Sequence, residues 1–187
     1  NKEINTPSDY NGLKMRMPGL GGRTIEKLGA TPVLLAGSDV LPSLSSGAVD
    51  AAEWICPAAD LGAGLYQAAK YYYGPGWHEP STLLDLSMDL ASWEKLDSAT
   101  QGLIDDMTKS FNMTVFSRFQ AANGPALQKL LGEHNVQLKQ FPDEVLIALG
   151  NAAGEVVSER GSINSETKGI CNHLLSFRKN IMDWSTK

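Results

Sequence analysis

Hydrophobic residues in the first half of the chain form short runs that are interrupted by glycine, proline and aromatic residues. Three of these runs have the length and composition of strands, namely Leu13–Met17, Thr31–Ala36 and Val49–Cys56. A brief helix is predicted at Thr24–Leu28, and a second helix starts at Ser38 or Asp39 and ends before Gly47. Strands that alternate with helices in this way predict an α/β fold with a mainly parallel sheet flanked by helices.

Beyond about residue 91, glycine and proline become less frequent and the apolar residues follow helical spacing. A long helix is predicted after Ser98, with one apolar face formed by Ile104, Met107, Phe111, Val115 and Phe119. A Gly-Pro pair at 124–125 predicts a break in it. There follow a helix, a short strand and two more helices, predicted at Leu127–Glu133, Val136–Gln140, 143–160 and 164–183. We therefore predict two parts, an α/β lobe at 1–91 and a C-terminal helical region at 92–187.

The segment at 57–89 is rich in aromatic residues and prolines. It contains three consecutive tyrosines at 71–73, followed by Gly74-Pro75-Gly76-Trp77-His78-Glu79-Pro80. The prolines argue against a central strand, whereas clustered aromatic rings are typical of a cleft wall or a buried crossing of the chain. The run Leu83–Met88 has the character of a strand.

Composition excludes two broad classes of protein. Sixteen Lys and Arg against 21 Asp and Glu give a net charge of −5, so the basic surface of a nucleic-acid-binding protein is absent. The mean hydropathy is −0.19, and no stretch approaches the roughly 18 apolar residues of a membrane-spanning helix. Cys56 and Cys171 form neither a disulfide framework nor a zinc-binding spacing. The chain begins with neither Met nor a signal region, so we expect it to be part of a longer protein.

Motifs for three kinds of chemistry are incomplete. The glycine-rich stretch at 19–24 has the outline of a dinucleotide-binding loop, but Thr24 occupies the third glycine position, which leaves a plain turn. His78-Glu79 has the form of the start of a zinc-protease motif, but Thr82 stands in place of the second histidine. The chain has no Gly-x-Ser-x-Gly sequence, and neither cysteine has a histidine nearby in sequence. We therefore predict that the protein is not an enzyme.

Two charged residues in predicted strands are the candidate binding groups. Arg16 lies directly before the glycine-rich stretch, a position where ligand sites of open α/β sheets occur. Its guanidinium could hold a carboxylate through two parallel hydrogen bonds, or it could be a solvated strand arginine. Glu53 lies in an otherwise apolar stretch, where a carboxylate requires either an ion pair or a bound cation. Pairing with Arg16 and coordination of a hard cation together with carbonyl oxygens are both open.

Four motifs occur together in a fixed order: Leu13-Lys14-Met15-Arg16, Leu28-Gly29-Ala30-Thr31-Pro32, Gly47-Ala48-Val49-Asp50-Ala51-Ala52-Glu53-Trp54 and Tyr71-Tyr72-Tyr73-Gly74-Pro75-Gly76-Trp77-His78-Glu79. In order and spacing they resemble the solute-binding receptors of tripartite ATP-independent periplasmic (TRAP) transporters. Within that family, the branch that binds 2-oxo acids and related small organic acids is the most similar. The combination is far more specific than any single motif, and the resemblance covers essentially the whole chain.

The resemblance implies a periplasmic-binding-protein-like fold, in which two α/β lobes close over a small organic acid anion and Arg16 clamps its carboxylate. It implies a Na⁺ or Ca²⁺ ion beside the ligand, held by the side chain of Glu53, the main chain of Trp54 and a glutamine from an earlier segment. Trp77 and Glu79 correspond to an aromatic-rich stretch near the cleft. The implied partners are the membrane subunits of the transporter, and the implied location is the periplasm.

The resemblance implies a receptor much longer than these 187 residues, in which we expect most of the first lobe to precede the Arg16 strand. We therefore expect the second lobe and the C-terminal helices of a two-lobed receptor. The alternative is an interaction or dimerisation module that binds no solute in this form. The apolar face that carries Phe111, Val115 and Phe119 would then be covered by a homodimer or a domain swap.

Overall fold

The computed structural model describes residues 2–79 and 84–185 and contains two small parallel sheets flanked by helices. The strands of the first sheet are β1 (Lys14–Arg16), β2 (Thr31–Val33) and β3 (Ala51–Ala52). Their order is β2-β1-β3, and Arg16, the last residue of the central strand, lies opposite Val33 and Ala52. The three predicted strands and their parallel arrangement are confirmed, although each strand is shorter than predicted.

The helices beside this sheet are α1 (Gly19–Lys27), α2 (Gly37–Ser46) and α3 (Pro57–Gly62). Helix α2 ends as predicted at Gly47, which has a left-handed φ of 75°. The turn predicted at the glycine-rich stretch is wrong, because α1 already begins at Gly19. Gly22 allows this helix to lie close to Met17, the residue that follows β1, since a Cβ on Gly22 would be 2.5 Å from the carbonyl oxygen of Met17.

The second sheet consists of β4 (Tyr71–Gly74) and β5 (Gln137–Gln140), which pair in parallel with Tyr71 opposite Gln137. The predicted strand near residue 137 is therefore confirmed. The tyrosine run is itself a strand, and it is compatible with the following proline because a two-stranded sheet has no central strand. The strand predicted at Leu83–Met88 is not found at 84–88, and Leu83 lies outside the described residues.

The second half of the chain is helical, with α4 (Leu90–Trp93), α5 (Ser98–Gly132), α6 (Asp143–Gly161) and α7 (Ser165–Ser185). The long helix is confirmed, but the predicted break is wrong, because α5 continues through Pro125. Asn123, two residues earlier, accepts a hydrogen bond from the main-chain nitrogen of Ala58 at 3.1 Å. Ala126 and Leu130, which follow Pro125 in the helix, are buried. Packing on both sides of the proline thus sustains the helix.

The main core lies where α1 packs against α6. Ile25, Val145 and Leu149 are each at most 1% exposed and belong to one cluster of buried side chains. This core joins the first part of the chain to the second, as does the pairing of β4 with β5. The division at residue 91 stays a prediction.

Large apolar side chains are exposed along two helices. Phe111 and Phe116 on α5 are 64% and 60% exposed, and Phe177 on α7 is 59% exposed. On the predicted apolar face of α5, only Ile104 and Val115 are partly buried. Within the described ranges, no helix is both long enough and apolar enough to cross a membrane.

Candidate functional site

Arg16 and Glu53 form a largely buried ion pair at the carboxyl end of the first sheet. One terminal nitrogen of Arg16, Nη1, donates to Oε2 of Glu53 at 2.8 Å and to the main-chain carbonyl of Glu53 at 3.0 Å. The two side chains are 12% and 8% exposed. The backbone sets this geometry, because the nitrogen of Glu53 donates to the carbonyl of Arg16 at 3.0 Å. The ion-pair interpretation of these residues is therefore confirmed, and the pair occupies only one oxygen of the carboxylate.

Trp54 orients the arginine from a second direction. The Cζ atom of Arg16 lies 5.1 Å from the centre of a Trp54 ring, within the range of a cation–π contact. Gly37, the first residue of α2, leaves room for this indole, because a Cβ there would lie 2.7 Å from the ring. The guanidinium is thus fixed by both a carboxylate and an aromatic ring.

The other oxygen of Glu53 faces His78. Oε1 of Glu53 lies 3.7 Å from Nε2 of His78, which is beyond hydrogen-bond distance. The Trp77 ring contacts the imidazole edge-on, with 5.3 Å between ring centres. One ligand atom each from Glu53, His78 and Glu79 lies within 4.8 Å of the others. Trp77 and Glu79 therefore lie at the same site as Arg16, next to a histidine that the sequence marked only as part of an incomplete motif.

Two buried polar atoms at this site, Nε of Arg16 and Nε2 of His78, lack a hydrogen-bond partner. They are the only such atoms among the side chains that the structure describes, those of residues 2–79 and 84–182. A buried polar group without a partner costs about 1–3 kcal/mol, which a ligand at the site would recover. A cavity of about 470 Å³ lies here, with Glu53, Trp54, Trp77 and His78 among its lining residues. The arrangement suits a small ligand that offers oxygen atoms.

A second buried carboxylate, Asp60, supports the wall of this cavity. It accepts a 2.5 Å hydrogen bond from the hydroxyl of Tyr72 and 3.2 Å bonds from the main-chain nitrogens of Ile55 and Cys56. Burial raises the pKa of Asp60, and these three hydrogen bonds partly oppose that rise. Burial and the bond to Asp60 raise the pKa of Tyr72. The sequence did not reveal this pair, because nothing in the local pattern connects α3 to β4.

We expect Tyr72→Phe to destabilise the fold by about 1–3 kcal/mol near neutral pH, since it leaves the buried Asp60 carboxylate with one donor fewer. The bond from Tyr72 lowers the pKa of Asp60, so its loss raises that pKa further. A group whose pKa is raised in the folded state stabilises the fold at low pH, and this stabilisation is lost as the pH rises. The destabilisation should therefore shrink in acid, as followed by urea unfolding at several pH values.

Tyr66→Phe is the matched control for this variant. The Tyr66 ring stacks on His134, whereas the tyrosine hydroxyl that donates to Asp60 is that of Tyr72. It should change the free energy of unfolding little at any pH. A loss of stability in Tyr72→Phe that is the same in acid and at neutral pH would contradict the role given to Asp60.

Comparison with known proteins identifies the family. The family model described as bacterial extracellular solute-binding protein, family 7, matches residues 1–162. The chain belongs to this family. Its members are by description binding proteins, in agreement with the prediction that the chain is not an enzyme. The family resemblance drawn from the four motifs is confirmed as well.

A curated relative shares sequence with this family 7 chain, and solved structures share both sequence and fold with it. The monocarboxylate 2-oxoacid-binding periplasmic protein of Nostoc sp. is 36% identical over 184 residues, which are 98% of this chain and 50% of that protein. A TRAP periplasmic solute-binding protein of Pseudoalteromonas atlantica, solved with bound sodium and pyruvate, is 32% identical with a TM-score of 0.92. One from Colwellia psychrerythraea, solved with bound calcium and pyruvate, is 33% identical with a TM-score of 0.91.

The match with the two solved structures covers 98% of this chain and 56% of each of those chains. This family 7 chain thus spans about half the length of the proteins it resembles. The agreement in fold confirms the predicted α/β architecture of the periplasmic-binding-protein type with its long helix.

Proposed function

We propose that this chain forms the Arg16-bearing part of a periplasmic receptor of a TRAP transporter, which captures a small 2-oxo or 2-hydroxy acid beside a cation. The observation that carries the proposal is the buried guanidinium of Arg16, whose Nε has no partner within the described residues although Nη1 is held by Glu53. The sodium and calcium found with pyruvate in two solved relatives support the choice of ligand and ion.

The free edge of Arg16 suits a carboxylate. Because Nη1 is engaged by Glu53, the edge formed by Nε and the second terminal nitrogen is the one left to a ligand. A guanidinium edge presents two parallel donors that match the two oxygens of a carboxylate. Glu53 and Trp54 fix this edge in advance, which reduces the entropy lost on binding.

The donor groups next to Arg16 fit a hard cation. Oε1 of Glu53 is not used by the ion pair with Arg16, and the side chain is 8% exposed. The main-chain carbonyl of Trp54 is the second oxygen of this chain in the proposed set. Carboxylate and carbonyl oxygens are the ligands that Na⁺ and Ca²⁺ prefer. The cation would supply a positive charge for the 2-oxo or 2-hydroxy oxygen of the acid, beside the carboxylate held by Arg16.

In the proposed function the receptor binds the organic acid and does not convert it chemically. Trp77 and the cavity beside Glu53 would enclose the acid from the predicted lobe at 1–91, and Leu127 and Leu130 of α5 also line this cavity. A second lobe would close over the ligand, and the closed form would then be recognised by the membrane subunits of the transporter. Contacts between the lobes and the ligand that exist only in the closed form would stabilise that form.

We expect pyruvate binding to depend on the cation. In calorimetric titrations, replacing Na⁺ and Ca²⁺ by a bulky organic cation should weaken pyruvate binding by at least about tenfold, as is typical of two coupled ligands. Glu53→Gln keeps an acceptor for Arg16 but removes the charge, so its pyruvate affinity should be low and nearly independent of the cation. Glu26→Gln, an exposed residue of α1, should behave as the wild type.

The same titration separates the proposal from its alternative, a module for protein interaction or dimerisation. The exposed apolar side chains of α5 and α7, such as Phe111 and Phe177, favour that alternative. An absence of binding heat with pyruvate, lactate and related acids in the presence of Ca²⁺ would overturn the receptor proposal and leave the interaction module.

A further inference from the structure

His78 gives the site a ligand of a different chemical kind from the carboxylate and carbonyl oxygens of the proposed Na⁺ or Ca²⁺ position. Its Nε2 is buried, has no hydrogen-bond partner within the described residues and lies 3.7 Å from Oε1 of Glu53. Imidazole nitrogen is a common ligand of zinc and neighbouring transition metals, whereas sodium and calcium take oxygen ligands. The histidine therefore changes the class of ion that this corner of the cleft can hold.

The distances suit a small divalent ion. Bonds of about 2.0–2.2 Å to a tetrahedral zinc ion place neighbouring ligand atoms about 3.4 Å apart. The separation of 3.7 Å between Oε1 of Glu53 and Nε2 of His78 is close to this value. A Glu79 oxygen completes a set of three ligand atoms that all lie within 4.8 Å of one another. Small side-chain rotations would close the set around one ion.

The surroundings hold the two buried ligands in place. Arg16 binds the opposite oxygen of Glu53 at 2.8 Å and thereby orients Oε1. The His78 ring contacts Trp77 on one side, and a Cβ added at Gly21 of α1 would lie 3.5 Å from its Cδ2. Contacts with surrounding residues orient the metal-binding side chains of proteins in this way.

We infer that Glu53, His78 and Glu79 form a three-ligand site for a transition-metal dication of the zinc class. The inference deepens the proposed cation site and rests on the proposed function for the use of Glu53 as a cation ligand. Because Glu53 is common to both, zinc and calcium compete for the chain. The remaining coordination position of a tetrahedral ion is left to solvent or to the bound acid.

The test is a calorimetric titration of the metal-free chain with zinc chloride, without any organic acid. We expect one zinc ion per chain, displaced by excess calcium. His78→Phe should weaken zinc binding at least about tenfold and leave calcium binding unchanged, since only zinc uses the imidazole. His173→Phe, an exposed histidine of α7, should bind zinc as the wild type does.

Glu79→Gln provides a second variant at an exposed position, should His78→Phe fold poorly. It too should weaken zinc binding. The inference is overturned if the chain binds no zinc, or if neither variant weakens zinc binding relative to His173→Phe. Zinc binding without pyruvate binding would overturn only the proposed receptor function, and pyruvate binding without zinc binding would overturn only the zinc site.

Discussion

Leu149→Ala should lower the free energy of unfolding by about 2–5 kcal/mol, the range found when a buried leucine is truncated and leaves a cavity. Leu149 is 1% exposed and belongs to the core that α1 and α6 form with Ile25 and Val145. That core couples the helical region to the lobe that carries Arg16. A loss of this size would be a large fraction of the stability of a domain of ordinary size.

Urea unfolding followed by circular dichroism measures this effect. Ile147→Ala is the matched control, because Ile147 lies two residues away on α6 and is 64% exposed. It should change the free energy of unfolding by about 0.5 kcal/mol or less, as surface substitutions do. Equal losses in the two variants would contradict the packing of α1 on α6.

Local sequence patterns predicted the first sheet well, because its strands and helices are short and bounded by turn residues. Gly47 ends α2 as expected, and the apolar runs around Arg16 and Glu53 became the central and neighbouring strands. The errors arose where tertiary packing overrides local preference. Pro125 lies within α5, where buried neighbours and the Asn123 contact sustain the helix.

The structure brings together all the residues that the sequence nominated for the site, which are Arg16, Glu53, Trp54, Trp77 and Glu79, and adds His78 to them. Glu53 was noticeable because a carboxylate in an apolar stretch requires a partner, and Arg16 because it lies directly before a glycine-rich stretch. His78 has no periodic or spacing signal, and only the folded chain brings its Nε2 to 3.7 Å from Glu53. The same holds for Asp60 and Tyr72, whose hydrogen bond joins α3 to β4. The binding roles of Arg16 and Glu53 themselves stay predictions.

Arg16→Ala should weaken pyruvate binding by at least about 30-fold. Removing one member of a buried, hydrogen-bonded charge pair costs about 2–5 kcal/mol of binding, and about 1.4 kcal/mol corresponds to a factor of ten in affinity. The net charge of −5 offers the anion no general attraction, so binding depends on positive charge placed at the site, that of Arg16 and of the proposed cation.

Arg16→Ala also leaves the carboxylate of Glu53 without its 2.8 Å partner, which could impair folding. Arg16→Lys keeps a positive charge beside Glu53 but lacks the two parallel donors that a carboxylate requires. We expect it to fold and still to bind pyruvate at least about tenfold more weakly than the wild type. Arg23→Ala, an exposed arginine of α1, removes the same charge and should leave the affinity unchanged.

The most direct test of the central claim is the dissociation constant for pyruvate, measured by calorimetry in calcium-containing buffer for the wild type, Arg16→Lys and Arg23→Ala. We expect the wild type to bind pyruvate saturably with one-to-one stoichiometry, with the same affinity in Arg23→Ala and a strongly weakened affinity in Arg16→Lys. Equal affinities in all three proteins, or no binding by the wild type, would contradict the assignment of Arg16 as the carboxylate clamp.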